Sequence, residues 1–175
     1  MIPRFTLAQL FFRLYHHPDL LHGQGGAHER VFESLLRTET NVSYVRHPCG
    51  PHRWPDFHLY VRGMAPLSLE LKTTTTTRVH LGQTWPSPES IYLVSYQAHR
   101  GIYVGKGRHL LPPEQKADYL SYVNRIHGLP RPSVVQARAL LRVSLPLHLR
   151  DQHFQEVMDD LLKIQLLDTS LERRL

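Results

Sequence analysis

The sequence predicts an α/β fold in which a mixed β-sheet is flanked by helices. Three observations support it: helical periodicity near both ends, alternating segments between residues 42 and 72, and an apolar β-prone run at residues 91–96. The chain has 175 residues, 41% of them hydrophobic and 21% charged, which is typical of one globular domain. We therefore expect a single domain over residues 1–175.

Charge and cysteine content restrict the classes of partner and compartment. The formal net charge of +6 favours a polyanionic partner, of which nucleic acid is the first candidate. Cys49 is the only cysteine, so no intramolecular disulfide can form and a reducing compartment is favoured. The longest apolar run is too short to span a bilayer, and residues 1–4 lack a signal-peptide layout. We expect a cytoplasmic protein that does not associate with membranes.

Two helices are predicted before the first strand. The first covers residues 6–15, with Thr6 as its N-cap. The second begins near Ala27, and its apolar stripe consists of Val31, Phe32, Leu35 and Leu36. Glu29 borders this stripe and can point inward, whereas Glu33 lies on the solvent side.

Alternating polar and apolar residues predict three strands, at residues 42–47, 56–61 and 67–72. In the third strand Glu70 and Lys72 share one face, because they are two residues apart. If the second and third strands pair antiparallel, Asp56 comes beside Glu70. Two carboxylates and an ammonium would then converge, which suits a hard divalent cation such as Mg²⁺.

The rest of the chain completes the predicted sheet and its helical layers. The run at residues 91–96 is apolar enough for a central strand buried on both faces. The elements expected after it are a hairpin partner at residues 101–104, a basic glycine-rich turn at 105–108, a helix at 114–127, a strand at 137–145 and an amphipathic helix at 149–167.

The pair Pro55-Asp56, followed after a spacer by Glu70-Leu71-Lys72, resembles the signature of the PD-(D/E)XK nuclease superfamily. The resemblance covers roughly residues 23–105 and implies a restriction-endonuclease-like core. The chain also holds Pro18-Asp19 and Glu114-Gln115-Lys116, but neither lies in an alternating strand. The function implied is Mg²⁺-dependent hydrolysis of phosphodiester bonds in double-stranded DNA, most like that of a type II restriction endonuclease. Such enzymes commonly act as homodimers.

The resemblance also implies roles for individual residues. Asp56, Glu70 and the Leu71 carbonyl would hold the Mg²⁺, and Lys72 would position the attacking water. A glutamate on the helix before the core strands often joins the metal site in this superfamily, which points to Glu29, with Glu33 as its substitute. The alternative is that Asp56 ends a turn while Glu70 and Lys72 form a solvated pair on an exposed sheet.

Several residues are candidates for contact with DNA. Thr73 and Thr74 open a run of five threonines that also includes residues 75–77, and Arg78 and His80 follow it. In nucleases of this type the segment after the signature lysine commonly approaches DNA. Lys106 and Arg108, in the predicted glycine-rich turn, can contact a backbone phosphate. A polar edge strand is the alternative interpretation of the threonine run.

The segment between the first two strands permits a second metal hypothesis. His47, Cys49 and His52 have the spacing of zinc ligands, and a fourth ligand would be His58 or His28. The alternative is a polar loop that leads into the strand after Asp56.

Two other functions that involve DNA fit the same sequence. A structure-selective DNA repair nuclease or junction resolvase would use the same site on branched DNA. A basic DNA-binding module without catalysis would bind DNA in a salt-dependent manner, with structural carboxylates.

Overall fold

The computed structural model describes residues 4–22, 27–51, 53–61, 65–81, 86–111, 114–118, 121 and 142–163, and the backbone of residues 164–172. It confirms the predicted α/β class with a mixed sheet and flanking helices. The helices are α1 (Leu7–His16), α2 (His28–Glu39), α3 (Gly107–Leu110) and α4 (Arg150–Glu172), with 3₁₀ turns at Pro18–Leu20 and Leu147–Leu149. The strands are β1 (Ser43–Arg46), β2 (Phe57–Tyr60), β3 (Leu67–Thr74), β4 (Arg78–His80), β5 (Ile91–Tyr96), β6 (Gly101–Lys106) and β7 (Arg142–Ser144).

Helix α1 begins where the sequence predicts. The Gln9 amide donates to Thr6 Oγ1 at 3.2 Å, and the Thr6 amide donates to Gln9 Oε1 at 2.9 Å, which completes a capping box. Helix α2 buries Phe32 and Leu36, and the Phe32 ring packs edge-on against Phe57 of β2 at 5.4 Å. These contacts fix α2 against the sheet and so determine where Glu29 can reach.

The main sheet has five strands in the order β1-β2-β3-β5-β6. β2 is antiparallel to both β1 and β3, β3 is parallel to β5, and β5 is antiparallel to β6. The predicted antiparallel pairing of β2 with β3 is therefore confirmed, as is the hairpin of β5 and β6. β5 is buried along its whole length, as expected for a central strand with both faces covered.

A separate hydrophobic core covers each face of the main sheet. On one face Leu69, Leu93 and Val104 pack in a cluster that includes residues of α1, α2 and α4. On the other face Tyr92 and Val94 belong to a cluster with residues of β4 and β7, which pair as a two-stranded ribbon. The residues of β3 that alternate with its buried leucines, Glu70 and Lys72, face this second side.

The predicted turn at residues 105–108 is wrong. Gly105 and Lys106 continue β6, with Lys106 paired to Ile91, and α3 begins at Gly107. Glycine is required at residue 107 for close approach, because an added Cβ would lie 2.1 Å from the Ser87 carbonyl oxygen.

Other predicted elements are only partly described. The predicted helix at 114–127 is helical at residues 114–118 and 121, and its other residues lie outside the described part of the chain. The strand predicted at 137–145 is observed at Arg142–Ser144, while residues 137–141 are outside the described ranges. None of the helices in the described ranges combines the length and apolar character needed to cross a membrane.

The pairing of β2, β3 and β5 depends on a packed leucine at its centre. Leu69 is fully buried and lies opposite both Phe57 and Ile91. We expect Leu69→Ala to lower the free energy of unfolding by about 2–5 kcal/mol in urea denaturation, because it leaves a cavity. The control Val45→Ala, at a β1 side chain that is 44% exposed, should change it by less than about 0.5 kcal/mol. Equal losses in the two variants would contradict this account of the core.

Candidate metal centre

The polar residues of the candidate site lie side by side across adjacent strands. The β1–β2 register, continued by one residue, sets His47 opposite Asp56, and the His47 amide donates to the Asp56 carbonyl oxygen at 2.7 Å. The β2–β3 register, continued likewise, sets Asp56 opposite Glu70. Glu70 in turn lies opposite Tyr92 of β5. Directly opposed residues share a face of the sheet. The strands therefore bring His47, Asp56 and Glu70 to one level at one end of the sheet.

Asp56 and Glu70 are tied together by backbone amides. The Asp56 amide donates to Glu70 Oε2 at 3.2 Å, and the Leu71 amide donates to Asp56 Oδ2 at 2.8 Å. Each carboxylate thus accepts a hydrogen bond from the strand opposite its own. This exchange holds two acidic groups next to each other in a partly dehydrated place.

Lys72 completes the acidic pair with a positive charge. Its Nζ lies 2.6 Å from Glu70 Oε1, and the side chain of Lys72 is 24% exposed. The side chain of Glu70 is only 8% exposed. The interpretation of Glu70 and Lys72 as a solvated pair on an exposed sheet is therefore wrong for Glu70.

Glu29 reaches the same place from helix α2. Its Oε2 atom lies 3.1 Å from His47 Nε2 and accepts a hydrogen bond from Arg46 Nη2 at 3.1 Å. Ligand atoms of Glu29, His47 and Asp56 all lie within 4.8 Å of one another. This is the one group of three or more acidic, histidine or cysteine side chains in the described ranges with the geometry to hold a metal ion.

Glu33, the substitute candidate, points elsewhere. Its Oε2 pairs with Arg46 Nη1 at 2.9 Å, and its Oε1 accepts from the Tyr44 hydroxyl at 3.3 Å. It does not belong to the metal-ligating group found within the described residues. Arg46 thus connects both glutamates of α2 to the end of β1 and positions Glu29.

Burial leaves the acidic pair short of compensating positive charge. Burial raises the pKa of Asp56. The hydrogen bond from the Leu71 amide lowers this pKa, and the nearby negative charge of Glu29 raises it further. Burial also raises the pKa of Glu70, which Lys72 opposes and Asp56 reinforces. Burial, with the charge of Glu70, raises the pKa of Tyr92 well above its usual range. A bound cation would favour the ionised form of these carboxyl groups.

The zinc hypothesis finds little support in this arrangement. His47 takes part in the group with Glu29 and Asp56, while Cys49 is exposed and His52 lies outside the described residues. Neither His28 nor His58 belongs to a metal-ligating group in the part of the chain that the structure describes. The sequence pattern associated His47 with Cys49, and the position of His47 one residue past β1, opposite Asp56, is the signal that would have indicated its actual neighbours.

The residues predicted to contact DNA after Lys72 divide into two kinds. Thr73 is exposed, whereas Thr74 Oγ1 donates to the Arg78 carbonyl oxygen at 2.6 Å and so stabilises the turn between β3 and β4. Arg78 and His80 are exposed on β4, where they lie opposite Ser144 and Arg142 of β7. Arg142, which is also exposed, therefore joins them on the outer side of the ribbon.

Lys106 and Arg108 are neutralised by acidic side chains. Lys106 Nζ is 3.2 Å from Glu89 Oε2 and 2.5 Å from Asp160 Oδ2. Arg108 pairs with Glu89 and Glu156. Because Lys106 lies opposite Ile91, one residue from Tyr92, its side chain is on the opposite face of the sheet from Glu70.

Comparison of the chain with protein-family models, curated proteins and solved structures finds no match. The chemistry of the site therefore carries the functional argument.

Replacing the acidic group of Asp56 should stabilise the metal-free protein at neutral and alkaline pH. Burial raises the pKa of the Asp56 carboxyl in the folded state above its pKa in the unfolded state. The free energy of unfolding therefore falls as the pH rises from the unfolded-state pKa to the folded-state pKa, and it stays lower at higher pH. Asp56→Asn keeps an oxygen that can accept from the Leu71 amide but removes the charge. We expect a higher free energy of unfolding than wild type at about pH 8, and a difference that vanishes below about pH 4, the ordinary carboxyl range.

Urea denaturation with a chelator at both pH values measures this difference. Asp19→Asn, at an exposed aspartate, should leave the free energy of unfolding within about 0.5 kcal/mol of wild type. A stability of Asp56→Asn below that of wild type at the higher pH would contradict the role of burial.

Proposed function

We propose that the protein is a Mg²⁺-dependent endonuclease of double-stranded DNA, site-specific in the manner of a type II restriction endonuclease and with a restriction-endonuclease-like core. The observation that supports it best is the contact of Asp56 with Glu70 across β2 and β3, with Lys72 Nζ 2.6 Å from Glu70. This is the constellation that the resemblance to the PD-(D/E)XK superfamily implies. No other arrangement of acidic and basic groups in the described ranges combines buried carboxylates with a cluster able to hold a metal.

The donor set fits a hard divalent ion. Asp56 and Glu29 offer carboxylate oxygens within 4.8 Å of each other. Glu70 lies beside Asp56 but outside this group, because its two oxygens face the Asp56 amide and Lys72 Nζ. The Leu71 carbonyl remains the predicted further ligand. When bound, a divalent ion supplies charge neutralisation at the scissile phosphate and activation of water.

Side chains of the site would position the attacking water and the scissile phosphate. Lys72 has an ammonium group that can donate hydrogen bonds to the attacking water or to a phosphate oxygen, and Glu70 holds it in place. Glu29 is held by Arg46 and offers a further carboxylate oxygen within 4.8 Å of Asp56. Their part in catalysis is to orient water and phosphate for in-line attack.

A path for DNA is suggested by the ribbon of β4 and β7. Val79 and Val143 pack inward against the sheet face that carries Tyr92 and Val94, which lie opposite Glu70 and Lys72 in β3. Arg78 and Arg142 face outward from the same ribbon (with His80 and Ser144). A two-stranded ribbon fits the major groove of B-DNA. A duplex bound by this ribbon would lie on the same side of the sheet as Asp56 and Glu70.

The assembly that goes with this function is a homodimer. Palindromic duplex sites match the two-fold symmetry of a homodimer, which is also the commonest oligomer. Sedimentation of the protein with and without a cleavable duplex tests this part of the proposal.

Removing a carboxylate or the lysine of the site should abolish cleavage. We expect Asp56→Ala and Lys72→Ala to cut a long duplex in Mg²⁺ about 10³-fold more slowly than wild type, or worse, because positioning and charge neutralisation are both removed. Binding to the same duplex in the presence of chelator should persist. End mapping of the wild-type products gives the sequence at the cut.

Asp19→Ala is the matched control, since Asp19 also follows a proline but lies in an exposed 3₁₀ turn. It should cleave at the wild-type rate. Undiminished cutting by Asp56→Ala would remove the nuclease assignment. A wild-type protein that cuts only branched DNA is a resolvase or repair nuclease instead, and one that binds without cutting is a non-catalytic DNA-binding module.

The ribbon should contribute to DNA affinity through its charge. In the double variant Arg78→Ala with Arg142→Ala, we expect weaker binding and a salt dependence whose log–log slope is shallower by about 2, roughly one for each phosphate that is no longer neutralised. Fluorescence anisotropy over a range of salt concentrations measures both. Arg37→Ala, at an exposed arginine of α2, should leave the slope unchanged. The same slope in all three proteins would place the duplex elsewhere.

A further inference from the structure

We propose that His47 is a metal ligand of this centre and makes it prefer a first-row transition-metal ion, with Mn²⁺ as the probe, over Mg²⁺. The inference rests on the proposed metal-dependent function and deepens it, because it names the residue that sets metal preference. Mg²⁺ can still occupy such a site, but at higher concentration.

The first support is the distance between donor atoms. His47 Nε2 lies 3.1 Å from Glu29 Oε2, and both lie within 4.8 Å of an Asp56 carboxylate oxygen. Two donors that bind one ion at about 2.1–2.2 Å are separated by roughly 3–4.4 Å, so a small inward movement of side chains completes the site. The three donors come from α2, the end of β1 and the start of β2.

The second support is the way the backbone holds His47. Its φ of 49° is in the left-handed region, which non-glycine residues seldom adopt. The His47 amide donates to the Asp56 carbonyl oxygen at 2.7 Å, and the His47 carbonyl oxygen accepts from the Gly50 amide at 2.9 Å. These two hydrogen bonds fix the backbone from which the His47 ring extends to Glu29.

The third support is the orientation of the ring. Nδ1 is buried and has no hydrogen-bond partner among the described residues, while Nε2 faces Glu29. Because it lies beside Glu29, Nε2 is the nitrogen positioned to share an ion with the carboxylates. With a metal ion bound, Nε2 would carry no proton, and the proton of the neutral ring would be on Nδ1.

The chemistry of the donor set determines the preference. Mg²⁺ favours oxygen ligands and retains its waters, whereas an imidazole nitrogen is a better ligand for divalent first-row transition metals, among which Mn²⁺ binds most weakly. Two carboxylates and one imidazole form a mixed set that favours a transition metal.

The test measures metal binding without reference to cleavage. Titration of Mn²⁺, followed by the electron paramagnetic resonance signal of the free ion, and competition by Mg²⁺ give the two dissociation constants. We expect wild type to bind Mn²⁺ at least about tenfold more tightly than Mg²⁺. In His47→Asn the Mn²⁺ affinity should fall about tenfold, while the Mg²⁺ affinity changes far less.

Asparagine suits this position because it tolerates the left-handed backbone and supplies an amide oxygen. The matched control is His58→Asn, at a half-buried histidine two residues from Asp56 that lies outside the metal-ligating group. It should keep the wild-type Mn²⁺ preference. If His47→Asn does not fold by circular dichroism, His47→Asp provides the same comparison and should weaken the preference for Mn²⁺ over Mg²⁺.

The outcomes separate this inference from the proposed function. An unchanged Mn²⁺ preference in a folded His47 variant overturns the inference, whether or not DNA is cut. Failure of wild type to bind either ion overturns both. Wild type that binds Mn²⁺ and Mg²⁺ equally, yet cuts DNA in Mg²⁺, overturns only the role of His47.

Discussion

The exchange of backbone and side-chain hydrogen bonds between Asp56 and the Glu70–Leu71 segment is the constraint on which the site depends. The β2–β3 ladder ends at the pair of Phe57 with Leu69. One residue further, carboxylates accept from the amides of Asp56 and Leu71. Buried amides need partners, and here acidic side chains supply them. The same bonds that end the ladder hold two negative groups together.

Burying two carboxylates side by side destabilises the folded protein, and the surrounding residues only partly offset this effect. Burial raises the pKa of both carboxyl groups, and one ammonium group, that of Lys72, faces the pair directly. Arg46 is committed to Glu29 and Glu33. A bound cation would complement such a charge imbalance. Sites built for ligands commonly sacrifice stability in this way.

The two faces of the sheet have separate tasks. One face is packed by α1, α2 and α4 and stabilises the fold. The other carries the acidic pair and the ribbon of β4 and β7, whose outer residues are basic or polar. Helix α2 connects the two, because Phe32 is in the first core while Glu29 reaches round to Asp56.

Local patterns in the sequence were sufficient for the strands and for part of the site. Alternation along β2 and β3 determined which residues share a face, and a short connection implied antiparallel pairing, so Asp56 beside Glu70 could be predicted. His47 could not be assigned in that way, because its neighbours depend on the β1–β2 register and on where α2 packs. Likewise, the ion pairs of Lys106 with Glu89 and Asp160 join residues far apart in the chain. No local pattern predicts such pairs.

The anomalous scattering of a crystal grown with Mn²⁺ tests the central claim most directly. We expect one strong peak between the Asp56 and Glu29 carboxylates, within about 2.3 Å of His47 Nε2. A peak at Cys49, or none near Asp56, would contradict it and leave the acidic pair as a structural feature.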